Sequence, residues 1–302
     1  MRPTLRQLEY IIAIAEMGQI SSAASKLNVS QPSLSAQLSE VEDDLGVRLF
    51  QRSRSGVRIT PIGEEIVRRA RQIVHEILDL RAVVQGGGLF QGRLRLGVLP
   101  SVGPYLLPSV VQKLHRDHPS LRIIIREENT QELDEGLRSG RLDMIISTPE
   151  DHPTATSYEI VKEKLWVAMA LDHPLVKLGK TVELDDLNGQ TFMTLGPGHR
   201  LSHIVSGLAT RAGGRVSDEY EGTSLDALRL MAAAGTGLAV LPNIYAATEA
   251  SRGLDVHIAR IKDPMANRTI ALLRAPLETV DEESEILIEA LREGAETLIR
   301  GL

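Results

Sequence analysis

Ser30-Gln31-Pro32-Ser33-Leu34-Ser35-Ala36-Gln37-Leu38-Ser39-Glu40-Val41-Glu42-Asp43-Asp44-Leu45-Gly46 reads as one helix with its own punctuation. Leu34, Leu38, Val41 and Leu45 follow at spacings of four, three and four, so they line one buried stripe. Ser30 opens the helix as its cap. Pro32 falls in the first turn, where a missing N–H costs little. Gly46 closes it. The opposite face carries Ser30, Gln31, Ser33, Ser35 and Gln37, short polar groups suited to base edges and phosphates.

Upstream, Leu5, Leu8, Ile11, Ile12 and Ala15 recur at helical spacing. Ser21-Ser22 offers a cap for a short helix from Ala23 to Leu27, and Asn28-Val29 makes a turn. A short helix, a tight turn and a second amphipathic helix form a helix-turn-helix pattern. Downstream, Val47 to Phe50 and Val57 to Ile59 read as short strands around Arg52-Ser53-Arg54-Ser55-Gly56. That hairpin tip would carry Arg52 and Arg54 to phosphates beside a groove, with Arg48 and Arg58 flanking them.

Thr60-Pro61 starts the next helix. Ile66, Ala70, Ile73, Ile77, Leu80 and Val84 alternate spacings of four and three, a seam that predicts packing on another helix and dimerisation. Gly86-Gly87-Gly88 follows as a hinge and domain boundary. Beyond it, strand-like and helix-like stretches alternate. The strands are expected at Leu94–Leu99, Leu121–Glu127, Met144–Thr148, Leu165–Ala170, Thr191–Leu195, Gly237–Leu241 and Thr269–Leu273. The helices are expected at Tyr105–His115, Leu133–Ser139, Leu201–Arg211 and Leu225–Ala234. This order predicts an α/β architecture with largely parallel sheets and two subdomains around a cleft.

The 302 residues contain no cysteine, which excludes disulfides, thiolate metal sites and thiol redox chemistry. The net charge of −6 is uneven: residues 1–74 hold ten Lys/Arg against eight Asp/Glu, and the remainder 24 against 32. Any polyanion contact is therefore expected near the N-terminus. No apolar run is long enough to cross a membrane, and the first residues lack a signal-peptide pattern, so the expected location is the cytoplasm.

Residues 3–63 resemble the DNA-binding domain of LysR-type transcriptional regulators. The resemblance is carried by Leu5-Arg6-Gln7-Leu8-Glu9-Tyr10, Ala23-Ala24-Ser25-Lys26-Leu27, Ser30 to Leu38, Leu45 to Phe50 and Thr60-Pro61-Ile62-Gly63. Ala36 departs from it, because many members carry a basic residue there. The resemblance implies a winged helix-turn-helix DNA-binding domain over 1–60 and a linker and dimerisation helix with its glycine hinge over 61–88. An effector-binding domain of two α/β subdomains, like periplasmic binding proteins, would occupy 89–302. It implies promoter DNA, a small-molecule effector and further copies of the chain as partners, assembled as a homotetramer, with bent DNA helping or blocking RNA polymerase. No cofactor, metal or enzymatic activity is expected. The DNA contacts it implies are Ser30, Gln31, Pro32, Ser33, Ser35, Gln37, Arg52 and Arg54.

The effector half resembles the OxyR-type branch of peroxide sensors, through Gly97 to Pro108, Asp172-His173-Pro174, Gly198-His199 and Thr223-Ser224-Leu225. The reactive cysteine of that branch falls at Arg200 and its partner at about Ala209. The fold and DNA binding carry over, and thiol sensing does not. A peroxide response by a non-cysteine route and a ligand-binding protein without DNA function are the alternatives.

Several expected helix N-termini converge on the cleft in this fold. The implied effector site is Pro100, Ser101, Thr130, Thr148, Gly198, His199, Arg200 and Thr223. Helix N-termini favour a small anion, such as an organic acid. Arg200 would either clamp its carboxylate or phosphate or form a fixed salt bridge to Asp or Glu. Thr223-Ser224 is expected to cap its helix with Asp226 completing a capping box. His199 and His203 lack a third metal ligand, and Gly179-Lys180-Thr181 lacks the first glycine of a phosphate-binding loop, so neither zinc nor nucleotide is expected.

Overall fold

A computed structural model describes residues 3–53, 56–84, 93–119, 121–250, 253, 255–276 and 282–300. Gly86-Gly87-Gly88 and Arg54 lie outside the described residues. The chain divides into two compact units, Met1–Arg93 with Glu135–Leu142, and Leu94–Asp134 with Asp143–Leu302.

The first unit opens with α1 (Leu5–Met17), α2 (Ile20–Lys26) and α3 (Gln31–Leu45). A hairpin of β1 (Phe50–Ser53) and β2 (Gly56–Ile59) and the long α4 (Pro61–Val84) follow. Leu34, Leu38 and Val41 of α3 pack with Leu8, Ile11 and Ile14 of α1 and with Ala23 and Ala24 of α2, all buried. Ser30 caps α3, accepting the Ser33 N–H at 3.3 Å, and Gly46 ends it in the left-handed region. α2 starts three residues earlier than expected, with Gln19 as its cap and Ser21-Ser22 inside its first turn. Gly18 (φ 62°) turns the chain so sharply after α1 that only Gly18 and Gln19 separate the two helices.

The first hairpin strand begins at Phe50, not Val47. Leu49 and Phe50 spend their N–H groups on the buried carboxylate of Glu42 at 2.7 and 3.1 Å, which holds that stretch against α3. Gly56 is required at the hairpin: its φ is 129°, and a Cβ there would meet the Gly18 carbonyl oxygen at 2.5 Å.

α4 splits the expected seam. Gly63, Val67 and Ala70 are buried on its inner stripe, with Val67 and Ala70 in the core of this unit. Ile73 and Ile62 are 47% and 46% exposed on a second face. One helix thus serves its own domain through one stripe and leaves a second apolar stripe uncovered in the single chain.

The second unit contains β3 (Arg93–Val98), α5 (Gly103–Asp117), β4 (Arg122–Glu127), α6 (Thr130–Arg138), β5 (Met144–Ser147) and β6 (Thr156–Met169). After these come β7 (Thr181–Glu183), β8 (Thr191–Met193), α7 (Arg200–Arg211), β9 (Arg215–Val216) and α8 (Leu225–Ala233). The chain ends with β10 (Leu238–Pro242), the single turn α9 (Asn243–Tyr245), β11 (His257–Lys262), β12 (Asn267–Arg274) and α10 (Glu282–Ile299). The main strand order is β4-β3-β5-β12-β6-β10-β8-β9. α6 runs across the division between the two units.

The sheet is mixed, which corrects the expectation of largely parallel strands. β3–β5, β10–β8, β8–β9 and β11–β7 are parallel. β6 runs antiparallel to β12, β10 and β11. The reason is β6 itself, a 14-residue strand more than twice as long as the expected Leu165–Ala170 segment. Its first half pairs with β12 in one subdomain, and its second half pairs with β10 and β11 in the other. The α/β expectation and the two subdomains hold, and β6 is the strand shared between them.

Candidate functional sites

The start of α3 presents Ser30, Gln31, Pro32, Ser33 and Ala36 to solvent, while Ser35 and Gln37 are half-buried. The stripe below holds this face in position. Gln37 is tied inward: it donates to Glu40 at 3.1 Å and accepts from Gln7 at 3.2 Å. Gln7, itself buried, completes a capping box with Thr4 and so binds the start of α1 to α3. Arg52 lies on β1. Arg48 is committed, its guanidinium paired with Glu42 at 2.7 Å. Glu42 therefore links α3, Arg48 and the hairpin through one buried carboxylate. Its place in an otherwise polar stretch gave no warning of that, although it stands one residue after the apolar Val41.

In the second unit the residues expected around the cleft separate into three groups. Ser101 is buried, and its hydroxyl accepts from Arg268 at 2.8 Å. Arg268 in turn pairs with Glu163 at 2.6 Å, and Glu163 accepts the Ile244 N–H at 2.9 Å. Thr148 donates to Asp151 at 2.5 Å, and Asp151 also receives Arg200 at 3.3 Å. Arg200 thus takes the fixed salt bridge, the second of its two expected roles.

Two clefts meet at Pro197-Gly198-His199. One, of about 280 Å³, is lined by Thr130, Asp134, Asp151, His199, Arg200 and His203 among others. The Thr130 hydroxyl oxygen is buried there with no hydrogen-bond partner among the described residues. The other, of about 450 Å³, contains Pro100 and Thr223 from the expected site, together with Glu127, Glu128, Glu132 and Glu221. No Lys or Arg lines this second cleft among the described residues. The carboxylates oppose the small anion expected from helix N-termini alone. Adjacent Glu127-Glu128 at a strand end was the signal for them.

His199 borders both clefts and is only 5% exposed. Burial lowers its pKa, helped by the nearby Arg268 and opposed by Glu132, so the imidazole is neutral at neutral pH. Its ring makes no hydrogen bond among the described residues. Ser224, not Thr223, caps α8, accepting the Ala227 N–H at 3.2 Å. Asp226 points instead to the buried Tyr245, whose hydroxyl donates to it at 2.9 Å, and to Tyr105 at 3.3 Å. Both tyrosine pKa values are raised, chiefly by burial. The expected capping box does not form because Ser224, as the cap, puts Ala227 and not Asp226 at the third helical position.

Ser147, His152 and Asp134 form a hydroxyl–imidazole–carboxylate chain at 2.9 and 3.0 Å. Ser147 and His152 are 0% and 1% exposed, so no substrate reaches the hydroxyl; the chain fastens α6 to β5. No group of three or more potential metal ligands exists among the described residues. No described helix is long and apolar enough to cross a membrane.

A family model for the bacterial regulatory helix-turn-helix protein, lysR family, matches residues 5–64, and the LysR substrate binding domain matches residues 87–296. The DNA-binding transcriptional dual regulator OxyR of Escherichia coli strain K12 is 35% identical over 290 residues, covering 95% of this chain and 94% of that protein. Full-length OxyR from Pseudomonas aeruginosa with one cysteine replaced by aspartate superposes with a TM-score of 0.75 at 30% identity, over 96% of this chain and 97% of that one. Full-length CbnR in complex with its target DNA superposes with a TM-score of 0.63 at 27% identity, over 97% and 100% of the two chains.

Proposed function

The chain belongs to the LysR family of transcriptional regulators and joins a DNA-binding helix-turn-helix to an effector-binding domain; from that premise we propose how it reads DNA and answers its effector. The start of α3 enters the major groove, with Gln31 and Ser33 at base edges and Ser30, Pro32, Ser35 and Gln37 fitting the backbone beside it. Arg52 and Arg54 of the hairpin hold phosphates. The observation that carries this reading is the exposed polar start of α3 above a fully buried Leu34-Leu38-Val41 stripe.

Two copies join along the outer face of α4, where Ile62 and Ile73 stand exposed. Two such dimers pair into a tetramer that spans a long operator. A small molecule in the clefts at Pro197-Gly198-His199 binds one tetramer shape better than the other and shifts their populations. Pro100, Thr130, His199, Arg200 and Thr223 line its site, while Ser101 and Thr148 support the walls. The changed DNA bend then helps or blocks RNA polymerase in the cytoplasm. Without a cysteine, the signal is binding rather than sulfenic acid or disulfide formation. The family consists of regulators, and the protein acts as one rather than as an enzyme.

The test is binding to the DNA upstream of its own gene at several salt concentrations, with wild type and Gln31→Ala. Affinity is expected to fall steeply with salt. Gln31→Ala is expected to relax base preference at one position of a randomised site by about 1–3 kcal/mol. Salt-independent binding, or an unchanged preference at every position, overturns the placement of α3.

A further inference from the structure

We propose that the larger cleft takes a small organic cation, an amine or guanidinium carrying at least two N–H donors, and not an organic acid. This rests on the reading that the cleft holds the effector, and it names the effector's class. Glu127, Glu128, Glu132 and Glu221 line a space of about 450 Å³ with no Lys or Arg among the lining residues. Glu127 and Glu221 have no ion-pair or hydrogen-bond partner among the described residues, so their full charge faces the cleft. Glu132 already accepts the Asn129 N–H at 3.1 Å and adds its charge from the wall.

The independent observation is His199. It lines the same cleft, is 95% buried by its 5% exposure, and its ring makes no hydrogen bond among the described residues. Its ring nitrogens are not sealed from the clefts it borders, so they keep hydrogen-bonding capacity open to a ligand there. A neutral imidazole offers one lone pair and one N–H, and carboxylates offer only lone pairs. An ammonium or guanidinium group supplies donors to the carboxylates and to the imidazole lone pair, in charge-assisted bonds. The nearby cations do not compete, since Arg268 is paired with Glu163 and Arg200 with Asp151. A carboxylate ligand would meet the like charge of these four glutamates.

The experiment is calorimetric titration of the full chain with ethylenediamine, 1,4-diaminobutane and guanidinium. Succinate and 1,4-butanediol serve as length-matched anionic and neutral controls. The same titrations are run on Glu127→Gln/Glu221→Gln, which changes two exposed side chains and leaves the thermal midpoint in place. At least one amine is expected to bind, with affinity at least tenfold weaker in the double variant and no binding of either control. Preferential binding of succinate overturns the proposal, as does amine binding unchanged in the variant. Failure of every amine to bind tighter than about 1 mM overturns it too. A footprint on operator DNA separates the two readings. An amine that binds through Glu127 and Glu221 without altering the footprint upholds the cation site and removes its role as effector site.

Discussion

Glu163 on β6 and Arg268 on β12 face each other in register and form an ion pair at 2.6 Å, with side chains 0% and 2% exposed. The pair sits where β6 passes from one subdomain to the other. Glu163 also accepts the Ile244 N–H that follows β10, and Arg268 holds Ser101 at the end of β3. Four segments from both subdomains are thereby tied to two side chains.

Arg268→Met is therefore expected to cost about 3–5 kcal/mol, because it leaves the Glu163 carboxylate buried without its countercharge. The double variant Glu163→Leu/Arg268→Met is expected to recover most of that loss, since two apolar groups need no partner. Denaturant unfolding of the three proteins measures both. A single variant no less stable than the double would show that the charge is not the source of the cost.

Glu42 performs the corresponding task in the DNA-binding domain. Its carboxylate receives the N–H groups of Leu49 and Phe50 and the guanidinium of Arg48. Glu42→Ala is expected to destabilise this domain by about 2–3 kcal/mol through the orphaned N–H groups. It is also expected to weaken DNA binding at temperatures where the domain stays folded, because the hairpin loses its anchor to α3. Circular dichroism melts and a binding isotherm on the same sample separate the two effects. Full affinity in a folded Glu42→Ala protein would mean the hairpin holds its place without the carboxylate.

The extent to which these features were legible in the sequence follows from the range of the interactions. The stripe of Leu34, Leu38 and Val41 is local, and the apolar period alone located α3 and its caps. The start of β1 escapes the sequence pattern because Glu42 consumes the N–H groups of residues seven and eight positions away, which no alternation records. The first half of β6 shows no clean alternation, since Ile160-Val161 is followed by Lys162-Glu163-Lys164 and the buried Glu163 puts a charge at a core position. Its partner Arg268 lies 105 residues downstream, so only the assembled sheet brings the two together. For the same reason the helix N-termini suggest an anion, while only the assembled structure brings the carboxylates of β4, α6 and the loop at Glu221 to one cleft.

The outer face of α4 leads to a prediction about assembly. Ile73 is 47% exposed and makes no part of the core that Val67 and Ala70 enter. Ile73→Asp is expected to leave the helix-turn-helix folded and to shift the protein toward a smaller species by placing a charge in the joined seam. Sedimentation at several concentrations, with far-ultraviolet circular dichroism as the fold control, measures this. An unchanged oligomer with full DNA affinity would move the dimer contact away from this face.

On the same helix, Glu65 is held well below the usual carboxylate range, at about 2, first by its bond from Arg68 and then by that from Arg69. The bonds are 2.6 Å each. A carboxylate whose folded pKa is depressed contributes stability that is fully present above its ordinary value of 4.5 and is lost as pH falls toward 2. The side chain is 40% exposed, so solvent screening keeps the contribution below about 1 kcal/mol. Glu65→Gln is expected to melt slightly below wild type by a constant margin from pH 7 down to about 5, because Glu65 stays ionised in both states there. The margin is expected to narrow as the pH is lowered further, since the unfolded chain then takes up a proton that the folded one refuses. Thermal melts of the two proteins at half-unit pH steps measure the difference directly. A margin that widens on acidification would mean the two arginines do not hold Glu65 ionised in the folded protein.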